Sequence, residues 1–259
     1  MQNVALGISY NGTPFKGWQY QTDVPTVQGE LQTAISKIEN TQVQLRVAGR
    51  TDAGVHATGQ VASFVSRSER EESVWWRGLN GLTSDHIRVN WVKFLSPDFN
   101  PRYSAVARRY LYVFQDQGIE PFANQLAWQC TRQLDADAMH RAAGTLIGEH
   151  NFSSFRGAGC QSLTPMRRIN KCQVRRVGNL VVLDIEGNAF LLHMVRNIAR
   201  ALHDIGVSGD EKLMSTWLAA KDRREIGATA PPQGLYLAEV IYPSFDLPGS
   251  NPPYWLNLR

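Results

Sequence analysis

The feature that most constrains the fold of this chain is a change of hydrophobic period, from two residues to about 3.6 and back, which occurs in nearly the same order twice. Val4, Leu6, Ile8 and Tyr10 alternate as a strand, and Thr26 then opens a helical run of Leu31, Ala34, Ile35 and Ile38. Val43, Leu45 and Val47 alternate again, Gly49 to Gly59 interrupts, and Val61 to Val65 resumes an extended run. A helix from Glu71 to Leu82 and a strand over Ile87, Val89 and Trp91 complete the pattern βαββαβ. The second half begins with a strand from Ala107 to Phe114 and a helix from Asp135 to Ile147, with Asp135 as its cap. Strands Cys172 to Val177 and Leu180 to Ile185 follow, joined by a tight turn at Gly178-Asn179. Helices from Asn188 to Ile205 and Asp210 to Ala220 and a strand from Leu235 to Ile241 make the second pattern βαββααβ.

The βαββαβ word is that of the split, ferredoxin-like unit, an antiparallel sheet with both helices on one face. At 259 residues the chain sits where one core stops growing and division into two becomes favourable. The expectation is therefore an α+β protein of two tandem ferredoxin-like, RRM-like domains whose antiparallel sheets flank a basic cleft. The N-terminal domain would span 1–103 and the C-terminal domain 104–245, followed by a tail, 246–259, in which Tyr254 and Trp255 should dock on the protein.

Several classes of function fall away. No apolar run is long enough to span a bilayer, and the N-terminal residues lack the flanks of a signal peptide, so a cytoplasmic protein without membrane contact is expected. Nucleotide-binding glycine motifs and the HExxH and GxSxG motifs are all missing. Cys130, Cys160 and Cys172 form no CxxC pair, so they read as reduced structural residues, and no cofactor or metal is expected. The charge points elsewhere. Net charge is +4, and of the 27 basic residues 21 are Arg, the cation suited to phosphate and base stacking. Between Glu149 and Asp184 lie Arg156, Arg167, Arg168, Lys171, Arg175 and Arg176 with no acid among them, which reads either as a polyanion surface or as a solvated face.

Three segments could carry chemistry. In GRTDAGVHA, Gly49 to Ala57, small residues surround the carboxylate of Asp52, with Arg50 two positions earlier. Such a loop lets backbone approach a ligand closely, but an ordinary turn has the same composition, and spacing does not separate the two. In the strand from Ala107, Tyr110, Tyr112 and Phe114 share one face beside Arg108 and Arg109, as a base-stacking sheet requires and as a buried core also allows. In the helix containing FLLHMVRNI, Leu191, Met194, Val195, Ile198, Leu202 and Ile205 form an apolar stripe. His193, Arg196, Asn197, Arg200 and Asp204 form the opposite face. There Arg196 and Arg200, one turn apart, either grip an anion or are simply solvated.

Taken together, GRTDAGVHATGQVASF, FNPRYSAVARRYLYVF, NFSSFR, CQSLTPMRRI, FLLHMVRNI and GLYL occur in an order and spacing that resemble the tRNA pseudouridine synthase I (TruA) family along nearly the whole chain. The resemblance implies a cofactor-free isomerase, usually a homodimer, that converts uridine to pseudouridine at positions 38, 39 and 40 of the tRNA anticodon arm. By the same resemblance Asp52 is the catalytic carboxylate and Tyr110 stacks on the target base. Arg196 pairs with the carboxylate, and Arg50 lies beside the extruded nucleotide. The basic stretch Arg156 to Arg176 would follow the RNA backbone. Three positions depart from the family pattern: Asn151 where Asp is common, Leu192 where Tyr or His is frequent, and Arg200 where Gly often marks a close helix contact. Two rival readings are weaker. An RRM-type binding protein would carry an RNP signature in the strand GQVASFV, which does not fit it, and a glycosidic hydrolase would pair Asp52 with a second acid, for which the sequence offers no local partner.

Overall fold

A computed structural model of the chain describes residues 1–118, 121–253 and 256. They group into two compact units, residues 1–106 with 236–253, and residues 107–235 with Leu256. The fold is mixed α+β. The first unit runs β1 (Gln2–Tyr10), α1 (Val27–Glu39), β2 (Arg46–Val47), β3 (His56–Ser66), α2 (Glu72–Leu82) and β4 (Ile87–Leu95). The second runs β5 (Ala107–Gln115), β6 (Trp128–Gln129), α3 (Ala136–Gly144), β7 (Gly148–Asn151), β8 (Met166–Val177), β9 (Leu180–Gly187), α4 (Met194–Ser208) and α5 (Lys212–Ala220). The chain then enters β10 (Leu235–Ile241).

In the first unit β1 is central, antiparallel to β4 on one side and to β3 on the other, with Leu6 opposite both Val92 and Ala62. β2 adds to β3 antiparallel at Val47 and Ala62, and β10 joins β3 in parallel at Tyr236 and His56. The inward residues Val4, Leu6 and Ile8 are fully buried, as are Leu31 and Ile35 of α1 and Trp75 and Leu79 of α2. Trp75 meets Phe64 of β3 edge-on at 4.9 Å. Thr26 caps α1 as its position predicts, its hydroxyl accepting the Gly29 N–H at 3.2 Å. On the other face Gly7 is required by contact: a Cβ there would stand 2.0 Å from the Trp91 indole.

In the second unit β5, β9, β8 and β7 form an antiparallel sheet, and β6 pairs in parallel with the end of β5. The β8–β9 hairpin turns at Gly178-Asn179 with Gly178 in the left-handed region (φ 56°). Asp135 caps α3 by accepting from the N–H groups of Asp137 and Ala138 at 3.0 and 2.9 Å. α3 packs on β8 and α4. Cys130 and Cys172 are buried free thiols, and burial pushes Cys130 up to about 12.

Several sequence expectations shift. The predicted strand 43–47 shrinks to Arg46–Val47, because Val43 and Leu45 are buried without joining a ladder. β8 starts at Met166, six residues before the predicted Cys172, since its first part pairs with the unpredicted β7. The helix expected from Asn188 begins only at Met194. Asn188 turns its side-chain oxygen onto the Arg168 and Ala189 N–H groups, and His193 takes a left-handed conformation (φ 60°). The predicted division at 104–245 also moves, because pairing with β3 groups residues 236–253 with the first unit. The expected docking of Tyr254 and Trp255 lies outside the described residues.

Candidate active site

The GRTDAGVHA segment is pinned on both sides of Asp52. Before it, the Ala48 N–H donates to Val61 O at 2.9 Å and the Gln60 amide donates to Gly49 O at 2.7 Å. The Thr51 hydroxyl meets the Tyr10 hydroxyl at 2.8 Å, and Thr51 O accepts from the Trp18 N–H at 3.0 Å. After it, the Val55 N–H donates back to Asp52 O at 3.1 Å, closing a four-residue turn whose third residue, Gly54, has φ 76°. That positive φ is what a type II turn demands there.

Two further glycines bring the segment 12–18 against this turn. A Cβ on Gly12 would stand 2.0 Å from Val55 O, and Gly17, at φ 94°, would set one 2.8 Å from Thr51 O. The Gly12 N–H donates to His56 Nδ1 at 3.0 Å, and the His56 ring stacks on Tyr236 of β10 at 4.7 Å and 21°. Asp52 is half-buried and Arg50 exposed. The loop therefore holds one carboxylate on an over-determined backbone with a cation close by in sequence, suited to chemistry that needs a single fixed acid or nucleophile.

The second unit separates residues that alternation puts together. Tyr112 and Phe114 are fully buried, and the Tyr112 hydroxyl donates to Pro231 O at 2.8 Å. Burial pushes the Tyr112 phenol well above its ordinary value, against the opposing pull of the Arg196 charge. Tyr110 alone in that row is half-buried, its ring edge-on to Phe190 at 5.0 Å. Arg196, half-buried on α4, donates its Nε–H to Ala230 O at 2.8 Å. Asn197, which the amphipathic pattern assigns to the polar face, has no exposed surface. The signal was available: it lies three residues after Met194 of the stripe and four before the small apolar Ala201, both of them buried.

The basic stretch divides by partner. Lys171 and Arg109 both bond Asp184, with Lys171 Nζ at 2.7 Å and Arg109 bidentate at 2.8 and 2.9 Å. Arg176 makes a bidentate pair with Asp116 at 2.8 and 2.7 Å and also reaches Leu134 O. Arg156 donates to the Cys160 and Ser162 carbonyls at 2.6 and 2.7 Å, and Arg167 to Thr164 O and the Ser162 hydroxyl, so both brace the loop between them. Arg168 and Arg175 are exposed on β8, with no side-chain partner among the described residues.

The three departures are accommodated. Asn151 accepts from the Ser153 N–H at 3.0 Å and hydroxyl at 2.6 Å, a cap that Asp would make equally. Leu192 is exposed. Arg200 pairs with Asp204 at 3.0 Å, and the space it needs is opened by Gly227, where a Cβ would stand 3.3 Å from the guanidinium. Among the described residues no three His, Cys, Asp or Glu side chains are grouped to hold a metal ion, and no helix is long and apolar enough to cross a membrane.

A family model described as tRNA pseudouridine synthase matches residues 8–104 and 142–243, which include Asp52 and Arg196, while Tyr110 falls between the matched segments. The tRNA pseudouridine synthase A of Coxiella burnetii (strain Dugway 5J108-111) is 48% identical over 253 residues, 96% of both chains. That of Shewanella amazonensis is 48% identical over 249 residues and that of Shewanella piezotolerans 46% identical over 248, each covering 95% of both chains. With likeness of this depth over about 95% of its length, the chain belongs to the tRNA pseudouridine synthase family of isomerases, in its TruA branch.

Proposed function

We propose that this enzyme converts uridine to pseudouridine at positions 38, 39 and 40 of the tRNA anticodon arm, with Asp52 as the catalytic carboxylate. The observation that carries the reading is the fixed turn at Asp52, held by Thr51, Val55 and the glycines of the segment 12–18. The reaction breaks the C1′–N1 bond, turns the uracil and forms C1′–C5. The C5 proton leaves and N1 takes one up, so atoms balance with no oxidant, phosphate donor or cofactor. One carboxylate is sufficient for it. Asp52 attacks C1′, adds to C6, or removes the 2′ proton to give a glycal, and the family resemblance favours the glycal.

A uracil within a stem is first turned out of the stack, at a cost of a few kcal/mol. Stacking on an aromatic ring returns about 1–3 kcal/mol per base. Tyr110, the one residue of its row that keeps an exposed edge, takes that role. Arg50 lies beside the extruded nucleotide, and Arg196 supplies the cation that favours the charged carboxylate. Arg168 and Arg175 carry charge to the RNA backbone. Each unit is read as ferredoxin-like, a reading supported in the first by the antiparallel strand order β4-β1-β3-β2. Homodimerisation and a cytoplasmic location complete the proposal from the family resemblance.

The test is incubation of unmodified tRNA with the enzyme and with Asp52→Asn, followed by mapping of pseudouridine. The variant should bind tRNA with nearly unchanged affinity and form none at positions 38–40. Conversion at the wild-type rate would overturn the assignment of Asp52.

A further inference from the structure

We propose that Asn197 is a positioning residue for the isomerisation, acting through residues 226–231 to fix the direction of the Arg196 guanidinium; this rests on the roles proposed above for Asp52 and Arg196. Asn197 is an anomaly of its helix. It is wholly buried in an α4 otherwise packed through Met194, Val195, Ile198, Ala201 and Leu202. A buried amide in a helix interior is poorer for stability than an aliphatic residue of the same size unless its polar atoms are all engaged.

They are engaged, and the oxygen's two donors both lead to one short segment. Asn197 Nδ2 donates to Phe155 O at 2.8 Å, while its Oδ1 accepts from the Thr229 hydroxyl at 2.9 Å and from Arg223 Nη2 at 3.0 Å. Arg223 in turn donates Nη1 to the carbonyls of Ile226 and Gly227. Every hydrogen bond of the Arg223 side chain thus goes to a neutral oxygen, which a site built only to neutralise charge would not use. The amide and the guanidinium together grip residues 226, 227 and 229.

The next two carbonyls of the same segment do different work. Ala230 O accepts the Arg196 Nε–H at 2.8 Å, and Pro231 O accepts the Tyr112 hydroxyl at 2.8 Å. A bond to Nε sets the plane of a guanidinium and so the direction of its two Nη groups. Asn197 follows Arg196 on the helix, so the two side chains diverge by about 100°. The segment spans that divergence, tied to Asn197 at Thr229 and to Arg196 at Ala230. If the hydroxyl and amide let go, the Ala230 carbonyl loses its nearest anchor on the Thr229 side and keeps only the Tyr112 bond at Pro231 beside it, so the reactive geometry loosens although Arg196 itself is intact.

The experiment measures single-turnover pseudouridine formation, tRNA affinity and thermal midpoint on the full-length enzyme with unmodified tRNA. A displacement of about 1 Å at a catalytic group costs on the order of 100-fold, so Asn197→Ala should slow the single-turnover rate by about 10–100-fold while tRNA affinity changes less than about threefold. Thr229→Val, nearly isosteric and without the hydroxyl, should slow it by about 3–10-fold, and Thr229→Ser should restore it to within about twofold. Should Asn197→Ala not fold, the two Thr229 variants decide. Wild-type rates in Thr229→Val, or a loss in Thr229→Ser equal to that in Thr229→Val, would overturn the proposal. Asp52→Asn in the same assay separates the two readings. An active Asp52→Asn refutes the proposed function, whereas an inert Asp52→Asn beside a fully active Asn197→Ala and Thr229→Val refutes only the positioning role.

Discussion

Replacing Asp184 with Asn should destabilise the protein by undoing a buried charge hub. Asp184 is almost wholly buried on β9, with 4% of its side chain exposed, and it holds Arg109 and Lys171, whose side chains are 28% and 37% exposed. Removing one partner of a buried ion pair costs about 3–5 kcal/mol. Here water recovers part of that cost by solvating the two half-exposed cations, which leaves about 2–4 kcal/mol. At roughly 3 °C per kcal/mol for a chain of this size, the thermal midpoint should fall by about 6–12 °C. Burial alone would raise the Asp184 carboxyl, but hydrogen bonds and charge from Arg109 and Lys171 overcome it and hold the group below its ordinary value. A depressed folded value means stability that is present above the unfolded value of about 3.9 and is lost as pH falls through the folded one. The gap between wild type and Asp184→Asn, followed by circular dichroism, should therefore stay constant from about pH 8 to 5 and close below about pH 4. A midpoint difference under about 2 °C, or one that does not narrow in acid, would refute the account of this hub.

Four other outcomes follow from which side chains are held and which are exposed. Ala at Arg168 or Arg175 should weaken tRNA binding and reduce the slope of log affinity against log salt by about 0.7–0.9 for each phosphate that is no longer neutralised. Ala at Lys171 or Arg176 should lower the thermal midpoint and leave that slope alone; equal slopes in all four variants would refute the division. Tyr112→Phe removes the hydroxyl that binds the part-buried Pro231 carbonyl and should cost about 1 kcal/mol in urea unfolding, whereas Tyr110→Ala should slow single-turnover pseudouridine formation by tenfold or more. A wild-type rate in Tyr110→Ala would remove it from the stacking role.

Periodicity located the elements whose large apolar side chains recur on one face. β1, α1, α2 and α3 were legible because each shows one clean stripe, and Thr26 and Asp135 because a cap needs only its own side chain and the next turn. What failed depended on partners distant in sequence. Residues 188–193 continue a helical pattern, yet Asn188 serves the Arg168 N–H, and the Gly157 N–H donates to Leu192 O at 2.8 Å, so the backbone is claimed from outside before a helix can form. β7 is four residues, too short for a period to show, and exists because β8 offers it an edge. β10 was legible as a strand, but its partner was not, since nothing in Leu235–Ile241 names β3.

The same limit governs the site, and it cuts differently for acids and for bases. The Asp52 turn was readable because its determinants are local: Gly54 supplies the positive φ and Asp52 supplies the acceptor for Val55. The segment 12–18 that braces it was not, since Gly12 and Gly17 become necessary only when their chain lies against Thr51 and Val55. For the basic stretch, an acid-free window was a poor guide, because the acids come from outside it. Asp184 enters from β9 to take Lys171, Asp116 enters from the end of β5 to take Arg176, and Arg156 and Arg167 bind carbonyls and a hydroxyl instead. A buried carboxylate draws the nearest guanidinium or ammonium inward whatever the local count, because leaving it unpaired costs more than the cation loses by desolvation. The charge such a surface offers to a polyanion is therefore set by which cations lack an inward acceptor. On β8 that leaves Arg168 and Arg175. Val182, opposite Arg175 in the ladder, has nothing to offer a guanidinium, and Glu149, opposite Arg168, is itself exposed, so it exerts no inward pull.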